Sequence, residues 1–225
     1  MDFKLSFSVN NAIYLRNPES SELGKKIVKQ SIDLINQLGF EAFTFKKLAK
    51  AVDTTEASVY RYFENKHRML LYIINWYWHY MDFLMDFHLQ NVKDNKKKIQ
   101  IIIQLLTKEL PESTSGLDYN IKLLHEIVLA ECSKVYLTKE VEVINKSEVF
   151  KPYKDLCAKI ALVISSYDQK YPFPKSLSST LIESAHQQQY FVAFLPRLTD
   201  VNKKNHKDFT SRFLENLVFS SLNKS

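Results

Sequence analysis

The stretch 44–70, TFKKLAKAVDTTEASVYRYFENKHRML, determines how the rest of the sequence is interpreted. It contains two short apolar-periodic segments that are separated by residues 52–54 alone. Thr44 and Thr55 each precede one segment, and a threonine hydroxyl in that position accepts a hydrogen bond from the free N–H groups of a first helical turn. The stretch therefore predicts two short helices, over 45–51 and from Thr55 onward, with a sharp turn between them.

Apolar side chains of this stretch have the spacing to form a tight core between the two helices: Leu48, Ala49, Val52, Val59 and Phe63. A bihelical unit of this kind presents the start of its second helix to the DNA major groove, which is about 12 Å wide. Ala57 and Ser58 are small enough to let that helix approach DNA, and the hydroxyls at positions 55, 58, 60 and 62 can donate to phosphates or base edges. We expect Tyr60, Tyr62 and Lys66 to be exposed together, which a merely structural three-helix subdomain would not require.

Further helices are predicted before and after this unit. A serine at position 20 or 21 caps a first helix that ends at Leu38, where Gly39 supplies the stop. Asn65 caps a long helix whose apolar face continues toward His88. Apolar periodicity predicts more helices over about 99–110, 118–133, 136–146, 148–168, 177–195 and 207–222. The segment Tyr171–Ser176, YPFPKS, is predicted not to be helical.

The composition favours an all-α fold. Only 3 glycines and 6 prolines occur in 225 residues, whereas sheets and phosphate-binding loops need more turn residues. We predict an N-terminal helix-turn-helix three-helix DNA-binding domain followed by a larger helical domain. The predicted divisions are an extended N-terminal arm at 1–20, the DNA-binding domain at 21–68 and the larger helical domain at 69–225.

Charge and targeting signals are less decisive. The net charge of +6 permits a polyanionic partner, but residues 1–70 hold 11 Lys and Arg against 8 Asp and Glu, so charge does not single out one end. Cys132 and Cys157 have no CxxC spacing and are interpreted as reduced core residues. The longest uncharged apolar run, Met69–Met81, is shorter than the ~20 residues of a membrane span. With no signal-peptide pattern at the N-terminus, we expect a cytoplasmic protein.

The stretch from Ile27 to Leu71 resembles the DNA-binding domain of TetR-family transcriptional regulators. The matching segments are Leu38-Gly39-Phe40, Thr44-Phe45-Lys46-Lys47-Leu48-Ala49, Ala57-Ser58-Val59-Tyr60-Arg61-Tyr62-Phe63 and Asn65-Lys66. The resemblance implies a homodimer that binds a palindromic operator in duplex DNA. It also implies that the larger helical domain at 69–225 is a ligand-binding (effector-binding) and dimerisation domain. By position, it implies phosphate contacts by Thr44, Tyr60, Tyr62 and Lys66. It also implies that Thr55, Ala57, Ser58 and Arg61 lie at or near base edges.

Two residues depart from the family pattern. Asp53 stands in the turn where the family usually has glycine, and Asp tolerates a left-handed conformation better than most residues. Glu56 stands where family members often have a basic or neutral residue. A carboxylate there repels phosphates but can accept a hydrogen bond from a cytosine amino group.

Candidate ligand contacts lie outside the DNA-binding stretch. Trp78 belongs to the aromatic run 76–80, which occupies every face of its helix and is assigned either to core packing or to a pocket. His186, Gln189 and Tyr190 share one helix face, which indicates either a dimer interface or a ligand-orienting patch. Glu183 with His186 matches one Glu-x-x-His unit of helical di-iron sites, but the sequence has no second such unit.

These observations predict a regulator, with a repressor role implied by the resemblance, that is controlled by a small apolar or aromatic effector. They predict no catalytic residue, no metal site and no cofactor, and therefore no enzyme. Two alternatives remain open from the residues: a helical-bundle enzyme or carrier with an N-terminal helical appendage, and a purely structural dimerisation protein. A bound metal or cofactor would favour the first alternative over a regulator. A protein that binds neither DNA nor a ligand would favour the second.

Overall fold

A computed structural model describes residues 5–108, 110, 116–136, 141–201 and 208–222. Within these ranges the chain forms α-helices and short 3-10 turns, and none of these residues lies in a β-strand. The predicted all-α fold is confirmed. In the same ranges, no helix combines the length and the apolar character that crossing a membrane requires.

The α-helices are numbered in chain order. They are α1 (Glu22–Leu38), α2 (Phe45–Val52), α3 (Glu56–Tyr60), α4 (Lys66–Leu89), α5 (Asn95–Thr107), α6 (Ile121–Glu131), α7 (Ser133–Tyr136), α8 (Val141–Lys146), α9 (Lys151–Tyr167), α10 (Pro174–Phe194) and α11 (Phe209–Leu222). The 3-10 turns span Asn11–Ile13, Pro18–Ser20 and Pro196–Leu198.

The chain forms two compact units. Unit 1 consists of Met1–Tyr80 and Glu109–Lys151, and unit 2 consists of Met81–Lys108 and Pro152–Ser225. Both units are discontinuous in sequence, and α4 begins in one and ends in the other. The predicted boundary after residue 68 separates a DNA-binding domain from an effector-binding domain by their roles, and it stays a prediction.

The core of unit 1 is built largely on α1 and α4. The residues from Met69 to Trp78 are all buried, as are Ile27 and Ile32 of α1. Four of the five members of the aromatic run 76–80 are buried, and only His79 is partly exposed. A helix segment that is buried on every face must be covered on all sides, which explains why residues 69–78 lack the polar face of a surface helix.

Residues 5–20 belong to the segment predicted as an extended N-terminal arm. They form an N-terminal strap, held along unit 1 by backbone and side-chain contacts. Val9 and Ile13 are 5% and 1% exposed, and the Phe7 ring lies edge-on to Trp76 at 5.0 Å. The Leu5 N–H donates to the Gly116 carbonyl at 2.8 Å. The weak periodicity of this segment has a structural reason, because the strap is stabilised by tertiary contacts rather than by a helical repeat.

Unit 2 packs α10 against α5 and α11. The Gln189 amide donates to the Leu106 carbonyl at 2.8 Å and so links α10 to α5. The prediction that residues 171–176 contain no helix is wrong, because α10 begins at Pro174. Proline has no N–H to lose in a first turn, and its fixed φ suits that position.

Two smaller predictions are also corrected. The helix expected over 136–146 is represented by α7 and α8, and residues 137–140 lie outside the described residues. Cys132 and Cys157 are both partly exposed rather than fully buried, and they do not form a disulfide with each other.

Candidate nucleic-acid interface

The turn between α2 and α3 adopts a left-handed backbone conformation at Asp53. This residue has φ 59° and ψ 57°, and the Thr54 N–H donates to the Ala49 carbonyl at 2.9 Å. Both features close the C-terminus of α2 within two residues and reverse the chain direction. The expected tolerance of Asp for this conformation is confirmed, because a short polar side chain is among the few that visit this region routinely.

The predicted core of the bihelical unit is confirmed. Leu48, Val59 and Phe63 are fully buried, and Ala49 and Val52 are at most 3% exposed. The Lys26 ammonium donates to the Val52 carbonyl at 2.9 Å, which anchors α1 to the C-terminal end of α2, where a positive charge is favoured. These contacts hold α2 and α3 at one relative orientation and leave the start of α3 uncovered.

The first turn of α3 presents small polar groups to solvent. Thr55, Glu56 and Ala57 are exposed and Ser58 is half-buried. The Thr55 hydroxyl caps the helix by accepting from the Ser58 N–H at 3.2 Å, and it lies 3.0 Å from the Ser58 hydroxyl. One of these two hydroxyl groups donates within the pair, so the other retains a proton to donate outward.

Tyr60 and Arg61 extend this surface at the end of α3. Tyr60 is 49% exposed, and its ring stands edge-on against Phe45 at 4.9 Å, so the ring is supported on one side while about half of the residue remains accessible. Arg61 is exposed, as are Lys46 and Lys50 on α2. Among the described residues none of these three cations has an ion-pair or hydrogen-bond partner. They are therefore available to a polyanion.

Tyr62 is not exposed, which corrects the prediction from sequence. Only 2% of its surface is accessible, and its hydroxyl lies 2.8 Å from the hydroxyl of Ser21, the N-cap of α1. The Arg16 guanidinium covers the Tyr62 ring at 5.4 Å from the ring centroid. A direct phosphate contact by the Tyr62 hydroxyl would require breaking this packing.

The two remaining predicted backbone contacts have structural roles. The Thr44 hydroxyl caps α2 by accepting from the Lys47 N–H at 3.3 Å, and it is exposed. The Lys66 ammonium donates to the carbonyls of Phe40 and Glu41 at 3.0 and 3.2 Å, so it closes the loop after α1. Lys66 is partly exposed rather than extended into solvent as expected. Its position as the first residue of α4 still leaves backbone N–H groups that attract an anion.

Sequence reasoning missed Lys46, Lys50 and Arg16 as members of this surface. Positions 46 and 50 are four apart on α2 and fall between its buried positions, so the helical period could have placed both on the solvent face. For Arg16 no comparable signal exists, because its position depends on how the strap folds back onto α3.

The four candidate ligand residues are distributed over the two units. Trp78, in unit 1, is 1% exposed, and its indole N–H donates to the Tyr136 hydroxyl at 2.7 Å. In unit 2, His186 is 7% exposed, Gln189 bonds to α5 as described above, and Tyr190 packs on Phe194 at 4.8 Å between ring centroids. All four are thus engaged in packing within their own unit, and a ligand role for them stays a prediction.

Unit 2 also contains an open cleft of about 520 Å³. It is lined by Asp86, Leu89, Gln90, Asn95, Lys98, Lys159, Leu162, Val163 and Ser166. None of the candidate ligand residues is among them. The Lys159 ammonium lies 2.6 Å from a carboxylate oxygen of both Asp82 and Asp86, so its charge is already compensated.

Two short helices around a left-handed turn, with the polar start of the second helix exposed beside uncompensated cations, define a helix-turn-helix DNA-binding protein. Residues 27–73 match the family described as "Bacterial regulatory proteins, tetR family". This segment is therefore a TetR-family DNA-binding domain, and the chain that carries it is a DNA-binding transcriptional regulator. No curated protein matches the sequence.

Several solved structures share the fold. AibR in complex with isovaleryl coenzyme A and operator DNA is 15% identical, with a TM-score of 0.58, 88% of this chain covered and 98% of that one. FadR from Bacillus subtilis in complex with stearoyl-CoA is 16% identical, with a TM-score of 0.58 and coverage of 87% and 97%. Superantigen PfiT is 15% identical, with a TM-score of 0.60 and coverage of 93% and 100%. At these identities the likeness shows the fold alone.

Proposed function

We propose that this protein is a homodimeric, cytoplasmic repressor. It binds a palindromic operator through α3 of each protomer and dissociates from it when a small effector binds. The exposed start of α3, flanked by the uncompensated Arg61, Lys46 and Lys50, is the observation that carries the proposal. The operator contact needs no catalytic step, and we propose that the protein is not an enzyme.

Within each half-site, the residues of α3 take different roles. Thr55, Ala57 and Ser58 approach base edges, because small side chains allow close contact with the floor of the groove. Arg61 carries a forked donor that suits guanine or phosphate oxygens. Tyr60 donates its hydroxyl to a phosphate while Phe45 supports its ring. Thr44 contacts the DNA phosphate backbone on one side of α3, and the N-terminus of α4, at Lys66, contacts it on the other.

The dimer interface is proposed on α10, α11 and the 3-10 turn Pro196–Leu198. Large apolar side chains are exposed there: Val192 (37%), Phe194 (63%), Leu195 (46%), Leu198 (57%) and Phe213 (38%). Contiguous exposed apolar surface of this kind commonly marks an association site, and an isologous contact would pair the same helices of two copies. A two-fold dimer would carry two copies of α3 to half-sites about 34–36 Å apart.

For the effector we propose an apolar or aromatic molecule bound within residues 69–225. The candidate contacts are Trp78 in unit 1 and, as a separate candidate set, His186, Gln189 and Tyr190 in unit 2. The fold that this chain shares with AibR and FadR supports screening acyl-CoA thioesters first, since those two proteins are described with such molecules. An effector of this class would act by binding the DNA-free arrangement more tightly than the DNA-bound one.

The test is selection of bound duplexes from a random pool at one fixed near-physiological salt concentration, because phosphate binding falls steeply with salt. Wild type is compared with Tyr60→Ala, and Tyr171→Ala serves as the control, since it removes a partly exposed tyrosine from the loop before α10. Enrichment of a palindrome by wild type and by Tyr171→Ala, but not by Tyr60→Ala, is the expected result. If a folded dimeric wild type enriches no duplex, the operator-binding proposal is refuted.

A further inference from the structure

The C-terminal end of the N-terminal strap contacts the residues that directly follow α3. Its Leu15 N–H donates to the Tyr62 carbonyl at 2.8 Å, so the strap is tied directly to the chain that leaves α3. The next residue, Arg16, lies over the Tyr62 ring. Pro18 then packs against Gly24 at the start of α1 so closely that an added Cβ would lie 2.2 Å from the Pro18 carbonyl oxygen. Residues 15–18 are therefore held in one position next to α3.

Arg16 combines exposure with a fixed position. Its side chain is exposed, and among the described residues no carboxylate pairs with it. Stacking on an aromatic face restricts the guanidinium and leaves its N–H donors directed outward. A cation that is neither paired nor freely mobile loses less conformational entropy when it binds an anion.

The arrangement of Tyr62 and Arg16 changes which group reaches the surface at this end of α3. The family resemblance assigns a phosphate contact to position 62, but the Tyr62 hydroxyl is turned inward to Ser21 and the ring is 2% exposed. The group that covers this ring is the guanidinium of Arg16. A phosphate that approaches the position would therefore meet Arg16 before Tyr62.

We propose that Arg16 contacts an operator phosphate beside α3, so that the strap is a second element of the DNA interface. This inference rests on the proposed operator binding and adds a contact outside the helix-turn-helix. A guanidinium can donate two parallel hydrogen bonds to phosphate oxygens, which fixes position and adds charge neutralisation without reading sequence.

The experiment measures operator affinity against salt concentration for wild type, Arg16→Gln, Arg16→Lys and the control Lys170→Gln. Lys170 is an exposed cation in the loop after α9, so its removal changes the net charge equally. Each phosphate contact contributes about 0.9 to the slope of log affinity against log salt, so the loss of one contact per protomer should make the slope of a dimer shallower by about 2. Arg16→Lys should retain most of the slope, and the control all of it.

The selected base sequence should not change in Arg16→Gln, because phosphate contacts carry no sequence information. If Arg16 only held Tyr62 in place, Arg16→Gln would lower affinity at every salt concentration with an unchanged slope, and that result would overturn the inference. An unchanged affinity would overturn it as well. Both outcomes differ from a failure of the proposed function, in which wild type itself selects no operator. Thermal melting of each variant confirms that it is folded.

Discussion

Asp53 links two measurable effects, one on stability through its backbone conformation and one on DNA affinity through its charge. Its φ of 59° lies in the left-handed region, where the backbone of an ordinary L-residue is strained. Asp53 is exposed in the turn that precedes α3. We compare three substitutions that remove the same charge: Asp53→Asn, which keeps the tolerance for this conformation, Asp53→Gly, which relieves any strain, and Asp53→Ala, which increases it.

The stability effect follows from the backbone. A left-handed conformation costs an L-residue such as alanine about 1–2 kcal/mol, whereas glycine adopts it freely but loses more entropy on folding. The net difference between Asp53→Gly and Asp53→Ala should be about 1 kcal/mol in the free energy of unfolding. In a chain of this length that corresponds to melting midpoints about 2–4 °C apart, with Asp53→Asn close to wild type.

The affinity effect follows from the charge. A carboxylate about 10 Å from a phosphate is repelled by about 0.4 kcal/mol in water, so its removal should raise affinity about twofold for each half-site. All three variants should therefore bind nonspecific duplex more tightly than wild type by a similar factor at low salt, as fluorescence anisotropy would measure. If Asp53→Ala melted at the same temperature as Asp53→Gly, the assignment of strain to this turn would be wrong. If only Asp53→Gly gained affinity, flexibility rather than charge would be the cause.

Two further predictions concern the packing of unit 1. Gly24→Ala should lower the free energy of unfolding by about 1–3 kcal/mol, because the added Cβ would lie 2.2 Å from the Pro18 carbonyl oxygen and the backbone must shift. Thermal melting measures the effect, with Lys29→Ala, at an exposed position of α1, as the control. Equal melting midpoints for the two variants would show that the strap can move away from Gly24 without loss of stability. Burial, reinforced by the Glu19 carboxylate that accepts from both hydroxyls, raises the pKa of Tyr72 and Tyr119 well above the usual 10. The folded chain then holds protons that the unfolded chain releases, so stability should fall as the pH rises above 10. Burial also raises the pKa of Tyr77. An ultraviolet tyrosinate titration should therefore show late-titrating groups that include Tyr72, Tyr77 and Tyr119, and in Glu19→Gln Tyr72 and Tyr119 should move to lower pH while Tyr77 does not. Early titration of all tyrosines would contradict the assignment.

The bihelical unit could be predicted from sequence because its determinants are local. Thr44 and Thr55 cap helices that begin at the next residue, and Gly39 ends α1 with a φ of 77°. Asp53 marks the turn because Asp is one of the few residues other than glycine that tolerate the left-handed conformation. Each of these features depends on neighbours within about one helical turn, so spacing and residue type suffice.

The orientation of Tyr62 could not be predicted in the same way. Helix α3 is only five residues long and ends at Tyr60, so its period does not decide which way position 62 points. Its partners, Ser21 and Arg16, are 41 and 46 positions away in sequence. Their approach depends on the fold of α1 and of the strap.

The sequence by itself therefore determined the helical class, the helix-turn-helix, its buried apolar core and the family to which the chain is similar. The first three rest on periodicity and capping, which act over a few residues, and the resemblance to the family rests on the matching segments between Leu38 and Lys66. Only the tertiary structure decided that residues 5–20 pack as a strap, that Lys66 turns back to the Phe40 and Glu41 carbonyls, and that Arg16 covers Tyr62. Those outcomes depend on contacts between distant segments, which form only when the folded chain brings their side chains within a few ångströms of each other.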